Sequence, residues 1–419
     1  MADLPIDDLT RTLRETGICR FLEHFAARFP TTHLKDLVVD ACGPDRTMRV
    51  NGRDVVNFGS DSFLGLDQDP RVQDAIQRGV AIWGTHNGTS RAFSSVRANE
   101  DAEEKLARWL GTEATLIYPS VTLANMGAIP GIVGRQDVLV LDEHAHNSMQ
   151  EGAKIAKGNG VPVHTFAHND AAALDRLLTE SKPYRLALVA IDGVYSMTGD
   201  LPPLRDLQAV AQRHHAVLYI DDAHGTGVLG GHGRGTVLDG LGNYDNTLVV
   251  GSLSKAFSCL GGFIGCSAAM KYLLKMRSNT FIFGGPVPPP YLDAICTVTD
   301  ILTSDEYTMI RGRLDANVRR LTAGLHRMGL VVLGGLTPII SILVGDEAAT
   351  LQAGWELFER GFYVQSVTFP AVPYHAGVLR IQINANHPTA AIDRLLHAVA
   401  GLQETIPLPR ADEISRRAA

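Results

Sequence analysis

Lys255 stands in the segment GSLSKAFSCLGGF (251–263), a long uncharged stretch of this chain. It is the only Asp, Glu, Lys, Arg or His between Asp245 and Lys271. Burial without a partner strongly lowers the pKa of an ammonium group, or the fold does not tolerate the group at all. Two interpretations are therefore open. The side chain reaches solvent, or it is a desolvated amine that attacks a carbonyl compound.

Other ionisable side chains follow predicted strands at the point where each strand ends. Apolar runs at 114–119, 137–142, 185–192, 216–221, 247–252 and 262–267 alternate with helical patterns such as 99–111 and 201–215. This alternation predicts a mainly parallel, doubly wound α/β sheet, whose ligands bind beyond the carboxyl ends of the strands. The side chains expected there are Asp142, His144, His146, Asp192, Asp221, Asp222, His224 and Lys255. One such residue is more typical of a cap or turn, but four strands delivering them to one edge favour a binding site.

Two further motifs carry less weight. The segment GTGVLG (225–230) matches G-x-G-x-x-G, but no helix begins within it, so we expect a glycine-rich surface loop. The HAH segment (144–146) puts two histidines on opposite faces of an extended stretch. No cysteine or third histidine stands at ligand spacing, so no metal is expected.

The remaining residues meet the chemical requirements of pyridoxal phosphate. This cofactor needs a lysine for its Schiff base and an acid at its pyridine nitrogen. Asp221 closes the run LYID, and Lys255 follows 34 residues later. The sequence therefore predicts a pyridoxal phosphate site built on these two side chains.

The segments DDAHGTGVLGGHGRG (221–235) and VVGSLSKAFSCLGGF (249–263) resemble motifs of the α-oxoamine synthases, a family of fold-type I pyridoxal phosphate enzymes that includes serine palmitoyltransferase. The resemblance extends from VNFGSDSFLGL (56–66) to VLRIQINANH (378–387). It also includes LDEHAHNSMQEG (141–152) and IDGVYSMTGDLPPL (191–204).

The resemblance implies a large, mainly parallel seven-stranded domain and a smaller C-terminal α/β domain. We place the N-terminal segment at 1–55, the large domain at 56–300 and the small domain at 301–419. The implied reaction is a decarboxylating condensation of an amino acid with an acyl thioester, on coenzyme A or an acyl carrier protein, to give an α-amino ketone. A homodimer with the site at its interface is implied as well. The alternatives are aminotransfer, an aldol-type reaction, or a non-catalytic partner subunit.

The resemblance also implies roles for individual residues. Lys255 would hold the cofactor and move the α-proton of the substrate, while Asp221 would keep the pyridine nitrogen protonated. His146 would stack on the ring and His224 would bond its hydroxyl. The other implied contacts are Ser196 with the ring hydroxyl and substrate, Ser252 and Ser254 with the phosphate, and Arg380 with the substrate carboxylate.

Several positions depart from the family pattern. Val121 and Thr122 replace a glycine–aromatic pair whose amides reach the phosphate, and Gly284-Gly285 replaces a hydroxyl residue of the partner's phosphate loop. Asn99 stands in place of a histidine, and Asp61 in place of an asparagine that binds the substrate carboxylate. Ser90, in GTSRAF (88–93), is a further expected substrate contact. We therefore expect a conserved cofactor core with altered substrate and phosphate contacts.

Composition and charge restrict the possible partners and the cellular location of the protein. The net charge of −7 and pI near 6.1 argue against nucleic acid or an anionic membrane as the main partner. The acidic start, MADLPIDDLTRTLRETG, lacks a signal-peptide core, and no apolar run is long enough to predict a membrane span. Five scattered cysteines without a C-x-x-C pair are typical of a reducing cytoplasm.

Overall fold

A computed structural model describes residues 4–29, 37–86, 88–335 and 337–412. Within these residues the chain divides into two compact units. The large unit comprises Asp61–Ala316 and Gly334–Pro338. The small unit comprises the described residues within Met1–Ser60, Asn317–Leu333 and Ile339–Ala419. The boundaries at 55/56 and 300/301 stay predictions from the sequence.

The strands and helices follow one another closely along the chain. The strands are β1 (Val39–Cys42), β2 (Thr47–Val50), β3 (Arg53–Asn57), β4 (Ala114–Tyr118), β5 (Val138–Asp142), β6 (Val163–Phe166), β7 (Ala187–Asp192), β8 (Ala216–Asp221), β9 (Thr247–Ser252), β10 (Gly262–Cys266), β11 (Val332–Leu333), β12 (Ile339–Gly345), β13 (Phe362–Tyr363), β14 (Gln365–Val367) and β15 (Gly377–Gln382). The helices are α1 (Pro5–Arg14), α2 (Gly17–Arg28), α3 (Pro70–Trp83), α4 (Arg97–Leu110), α5 (Val121–Ile132), α6 (Asn147–Gly158), α7 (Ala171–Glu180), α8 (Leu204–Arg213), α9 (Thr236–Leu241), α10 (Ala268–Arg277), α11 (Asn279–Phe283), α12 (Pro289–Thr303), α13 (Asp305–Arg327), α14 (Glu347–Glu359) and α15 (Thr389–Leu402). Among the described helices, none is both long and apolar enough to cross a membrane.

The large unit contains a seven-stranded sheet in the order β4-β10-β9-β8-β7-β5-β6. Only β10 runs antiparallel to its neighbours, and the remaining pairs are parallel. The small unit contains the antiparallel sheet β11-β12-β15-β14 and the sheet β1-β2-β3-β13. The predicted fold class, a mainly parallel seven-stranded sheet with a smaller C-terminal sheet, is confirmed.

The central strands form where the sequence offers unbroken apolar runs. Every residue of β5, β7 and β9 is buried, because helices cover both faces of a parallel sheet. The strand β6, with the sequence VHTF, was not among the predicted strands. It lies at the sheet edge with His164 and Thr165 exposed, so it lacks the apolar run that identifies a central strand.

The helices α5 and α6 pack closely against the sheet and against each other. Ala124, Ala128 and Ile129 of α5 share a buried cluster with residues of α6 and the strands. Gly152 permits the close approach, since a Cβ there would lie 2.8 Å from the backbone oxygen of Asn125. This packing fixes the position of Asn125, one turn inside α5.

A buried ion cluster joins α4 to β4. The Glu103 carboxylate is fully buried, accepts the Ile117 N–H at 2.8 Å, and pairs with Arg91 and with Lys271 Nζ at 2.7 Å. Burial raises the pKa of Glu103, but the two cations outweigh it and hold that pKa below its ordinary value. The carboxylate therefore stays charged at neutral pH and anchors the segment that carries Arg91.

Replacing this carboxylate tests the role of the cluster. Glu103→Gln leaves Arg91 and Lys271 facing a neutral amide, so we expect the free energy of unfolding to fall by about 3–5 kcal/mol, the range for breaking a buried pair. Urea denaturation measures the loss. The control is Glu104→Gln, which removes an exposed pair with Arg108 and should cost less than about 1 kcal/mol. Equal losses in the two variants would contradict the assignment.

Candidate active site

A cavity of about 170 Å³ opens beyond the carboxyl ends of β7, β8 and β9 in the large unit. The register explains its position, because Asp192 pairs with Asp221 where β7 and β8 end side by side. Its lining consists of Ser120, Val121, Thr122, His146, Asp192, Val194, Ser196, Asp221, Ala223, His224, Ser252, Ser254 and Lys255. Every residue predicted to contact the cofactor thus lies around one cavity.

Asp221 is held by a hydrogen-bond network that the sequence did not predict. Its Oδ2 accepts the Asn125 side-chain N–H at 2.7 Å, and its Oδ1 accepts the Ala223 N–H at 3.1 Å. Asn125 also accepts the Tyr219 hydroxyl proton at 2.9 Å. All of these groups are buried, so the carboxylate has a fixed orientation. The only sequence signal for Asn125 was its position in the A-N pair of VTLAN.

His146 is joined to the same network. Its Nδ1 lies 2.8 Å from Ser148 Oγ, and that hydroxyl accepts a second Asn125 side-chain N–H at 2.8 Å. The Ser148 N–H also donates to His146 Nδ1, at 3.2 Å, so His146 caps the N-terminus of α6. Burial lowers the pKa of His146 despite the opposing charge of Asp221, so the ring favours its neutral form.

Lys255 is isolated in sequence but not in space. Its Nζ lies 2.7 Å from Nε2 of His224, a residue 31 positions earlier in the chain. The side chain is half-buried at the cavity wall. The lysine amine therefore does have a polar neighbour, which the sequence around it did not show. The loop after β8 supplies this neighbour, His224.

The glycine-rich segment after β8 is not a surface loop, and that prediction was wrong. Residues 222–229 are buried. The Asp222 carboxylate accepts the Thr236 N–H at 2.7 Å and the Thr236 hydroxyl at 2.8 Å. A Cβ at Gly225 or Gly235 would lie 2.1 or 2.0 Å from its oxygens. The glycines thus let the backbone enclose a buried carboxylate, whose pKa burial raises to about 7.

Asp192 also lines the cavity, and the sequence predicted no specific role for it. It is buried beside Asp221, and the His146 backbone N–H donates to it. Burial, reinforced by the Asp221 charge, raises the pKa of Asp192 well above its ordinary value. The acid therefore favours its neutral form.

Hydroxyl groups and the N-terminus of a helix also line the cavity. Ser120 caps α5 by accepting the Leu123 N–H, so the first turn of this helix, with Val121 and Thr122, faces the cavity. Ser252 Oγ lies 3.2 Å from Ser254 Oγ at the end of β9. Free N–H groups and hydroxyls of this kind suit a phosphate. An amine, a carboxylate and phosphate donors around one cavity fit the predicted cofactor.

The other predicted residues lie outside this lining. Ser90 donates its hydroxyl proton to the Ile282 carbonyl at 2.9 Å. Arg380, in β15 of the small unit, is buried and donates from Nη1 to Gln365 Oε1 at 2.7 Å. Asp61 Oδ1 lies 3.9 Å from His224 Nδ1. Asn99 is buried in α4, and its side-chain amide has no hydrogen-bond partner among the described residues.

Comparison with known proteins finds relatives that match most of the chain. Residues 53–399 match the family described as aminotransferase class I and II. The 8-amino-7-oxononanoate synthase of Geobacter sulfurreducens is 37% identical over 350 residues, which cover 83% of this chain and 89% of that protein. The serine palmitoyltransferase of Sphingomonas wittichii superposes with a TM-score of 0.88 at 26% identity, over 94% of this chain and 98% of that one. A serine palmitoyltransferase from S. paucimobilis with a bound PLP–myriocin aldimine gives 0.88 at 25% identity, with coverage of 94% and 98%.

The network around Asp221 yields a direct test. Asn125→Ala removes the donor to Asp221 and the acceptor of the Tyr219 hydroxyl, and we expect the free energy of unfolding to fall by about 1–3 kcal/mol. Adding Tyr219→Phe should recover part of this loss, because one unsatisfied hydroxyl disappears. Urea denaturation measures both effects, and Asn159→Ala, at an exposed residue, is the control. No recovery in the double variant would count against the network.

Proposed function

The chain belongs to the α-oxoamine synthases of the aminotransferase class I and II family, and from this premise we propose its reaction. With pyridoxal phosphate as cofactor, the protein condenses an amino acid with an acyl thioester and releases carbon dioxide, which gives an α-amino ketone. The observation that carries the proposal is the placement of Lys255 and Asp221 on one cavity. The name of the Geobacter relative describes a product in which an amine stands next to a ketone, which supports the reaction class.

Pyridoxal phosphate, when bound, supplies an electron sink for a carbanion at the amino acid's α-carbon. We propose that Lys255 binds the cofactor covalently and afterwards removes and returns the α-proton through Nζ. Asp221, oriented by Asn125, would keep the pyridine nitrogen protonated. His146, whose ring favours its neutral form, would stack on the cofactor ring, and His224 would bond the ring hydroxyl.

We propose that donors at the start of α5 and the end of β9 bind the cofactor phosphate. Val121 and Thr122 offer backbone N–H groups in the first turn of α5, and Thr122 adds a hydroxyl. Ser252 and Ser254 contribute hydroxyls from the end of β9. Ser196, on the same lining, is placed to bind the ring hydroxyl or the substrate. Threonine thus replaces the aromatic side chain of the family pattern with a hydrogen-bond donor.

The substrate contacts rest on the sequence motifs. We propose Arg380 as the cation that binds the amino-acid carboxylate, because a guanidinium group forms two parallel hydrogen bonds with it. Its hydrogen bond to Gln365 holds the guanidinium in place. Ser90 and Asp61 stay predicted substrate contacts. The acyl group is carried by coenzyme A or an acyl carrier protein.

We also propose that two copies of the chain form a homodimer, in the cytoplasm, as the resemblance and cysteine usage indicate. Large apolar side chains support a partner surface in the large unit. Phe93 is 91% exposed and Phe283 is 82% exposed, and Tyr272 and Met276 of α10 are also exposed. Apolar exposure of this kind is typical of surfaces that bind a partner.

Sedimentation equilibrium tests the homodimer and should give twice the 45.2 kDa chain mass.

A panel of amino acids with acyl thioesters tests the reaction class. Mass spectrometry should find an α-amino ketone, and carbon dioxide and free thiol should appear in equal amounts with it. A product in which the cofactor has gained the amino group would identify aminotransfer, and aldehyde release would identify an aldol-type reaction. A chain that binds no pyridoxal phosphate would support the non-catalytic subunit.

Asp221→Asn isolates the step that depends on the protonated pyridine nitrogen. Loss of a charge-assisted hydrogen bond, worth about 1.5–3 kcal/mol, should slow α-proton exchange about tenfold to hundredfold. Exchange of the amino acid's α-proton in D₂O, followed by NMR, measures the rate. Asp206→Asn, at an exposed residue of α8, is the control. Full exchange in Asp221→Asn would overturn the role assigned to this carboxylate.

A further inference from the structure

Asp61 lies beside the histidine that contacts the reactive lysine. Its Oδ1 is 3.9 Å from Nδ1 of His224, and Nε2 on the other side of that ring is 2.7 Å from Lys255 Nζ. The His224 side chain is 7% exposed and that of Asp61 is 33% exposed. A carboxylate, an imidazole and an amine are thus arranged in sequence from the loop before α3 to the end of β9.

Two contacts hold the loop of Asp61 in this place. Ser62 Oγ lies 2.9 Å from Ser258 Oγ, and the Ser258 N–H donates to the Lys255 carbonyl at 2.8 Å. Phe63 is fully buried, with its ring centroid 6.2 Å from that of His224. The residues that follow Asp61 therefore pack beside His224 and reach the Lys255 backbone through Ser258.

The tautomer of His224 follows from the donor at Nε2. In its ammonium form Lys255 has three N–H donors and no acceptor, so in that form Nζ donates and His224 Nε2 accepts. The ring proton of neutral His224 then lies on Nδ1, the nitrogen that faces Asp61. At 3.9 Å the interaction is longer than a hydrogen bond, so the carboxylate acts chiefly through its charge.

We propose that Asp61 is a positioning residue that assists deprotonation of Lys255 through His224. One Nζ–H bond of the ammonium breaks and an Nε2–H bond forms, so Lys255 becomes a neutral amine and His224 an imidazolium. The Nδ1–H bond is kept, and the positive charge on the ring now faces the Asp61 carboxylate. The step needs no further reactant. It rests on the proposed function only in taking Lys255 as the reacting amine.

Other charges around the cavity do not replace Asp61 in this role. The ionisable groups that line the cavity with Lys255 and His224 are His146, Asp192 and Asp221. Burial favours the neutral forms of His146 and Asp192. Asp221 carries hydrogen bonds from Asn125 and Ala223 instead. Asp61 is therefore the carboxylate placed at Nδ1, the far nitrogen of His224.

Competitive labelling of the cofactor-free chain with acetic anhydride measures the reactivity of Lys255 at each pH. We expect Asp61→Asn to lower labelling of the Lys255 peptide at pH 7 on the order of tenfold, because the imidazolium loses its counter-charge. Above about pH 10.4, where lysine deprotonates unaided, the two proteins should converge. Asp61→Glu should retain most of the reactivity. Asp74→Asn, at an exposed residue of α3, should match the wild type.

The dependence on His224 is decisive. In a His224→Asn background, Asp61→Asn should have no further effect, since the relay is already broken. An effect of full size in that background, an equal loss at every pH, or no loss at all would overturn the proposal. Labelling uses neither amino acid nor thioester, so a failed condensation assay with normal labelling would count against the reaction class and not against this relay.

Discussion

The parallel register of β7, β8 and β9 is the constraint on which the whole site depends. Because these strands end together, Asp192, Asp221 and Ser252 reach the same edge of the sheet without any special loop. The loops after β8 and β9 then need only short paths to add His224 and Lys255. The alignment of the strands therefore determines which side chains meet at the site. The surrounding helices bury the strands and hold them in register.

Several carboxyl groups lie at one buried edge of the sheet, and each is stabilised in a different way. Asp221 accepts hydrogen bonds from the Asn125 side chain and the Ala223 N–H. Asp222 is enclosed by glycine backbone and held by Thr236. Asp192 favours the neutral acid, because burial and its neighbour's charge both oppose ionisation. This arrangement fits the proposed role of Asp221 at the pyridine nitrogen of the cofactor.

Sequence patterns predicted the features that depend on local composition. They failed where a feature depends on contacts with residues far away in the chain. Unbroken apolar runs identified β5, β7, β8 and β9, whereas the polar edge strand β6 offered no such run. The glycine-rich loop looked solvated because the enclosed Asp222 carboxylate is invisible in a linear pattern. Likewise, the strand-end pattern predicted His224 and Lys255 at one edge but not their direct contact, and nothing around Asn125 indicated a partner 96 residues away.

The central claim is that the amine of Lys255 binds the cofactor at the edge defined by Asp221. Borohydride reduction of the loaded protein fixes pyridoxal phosphate to the amine that holds it, and peptide mapping by mass spectrometry then identifies that amine. The account predicts one modified peptide, which contains Lys255 and carries one cofactor per chain. Modification of a different lysine, or none in protein that retains the cofactor, would contradict it.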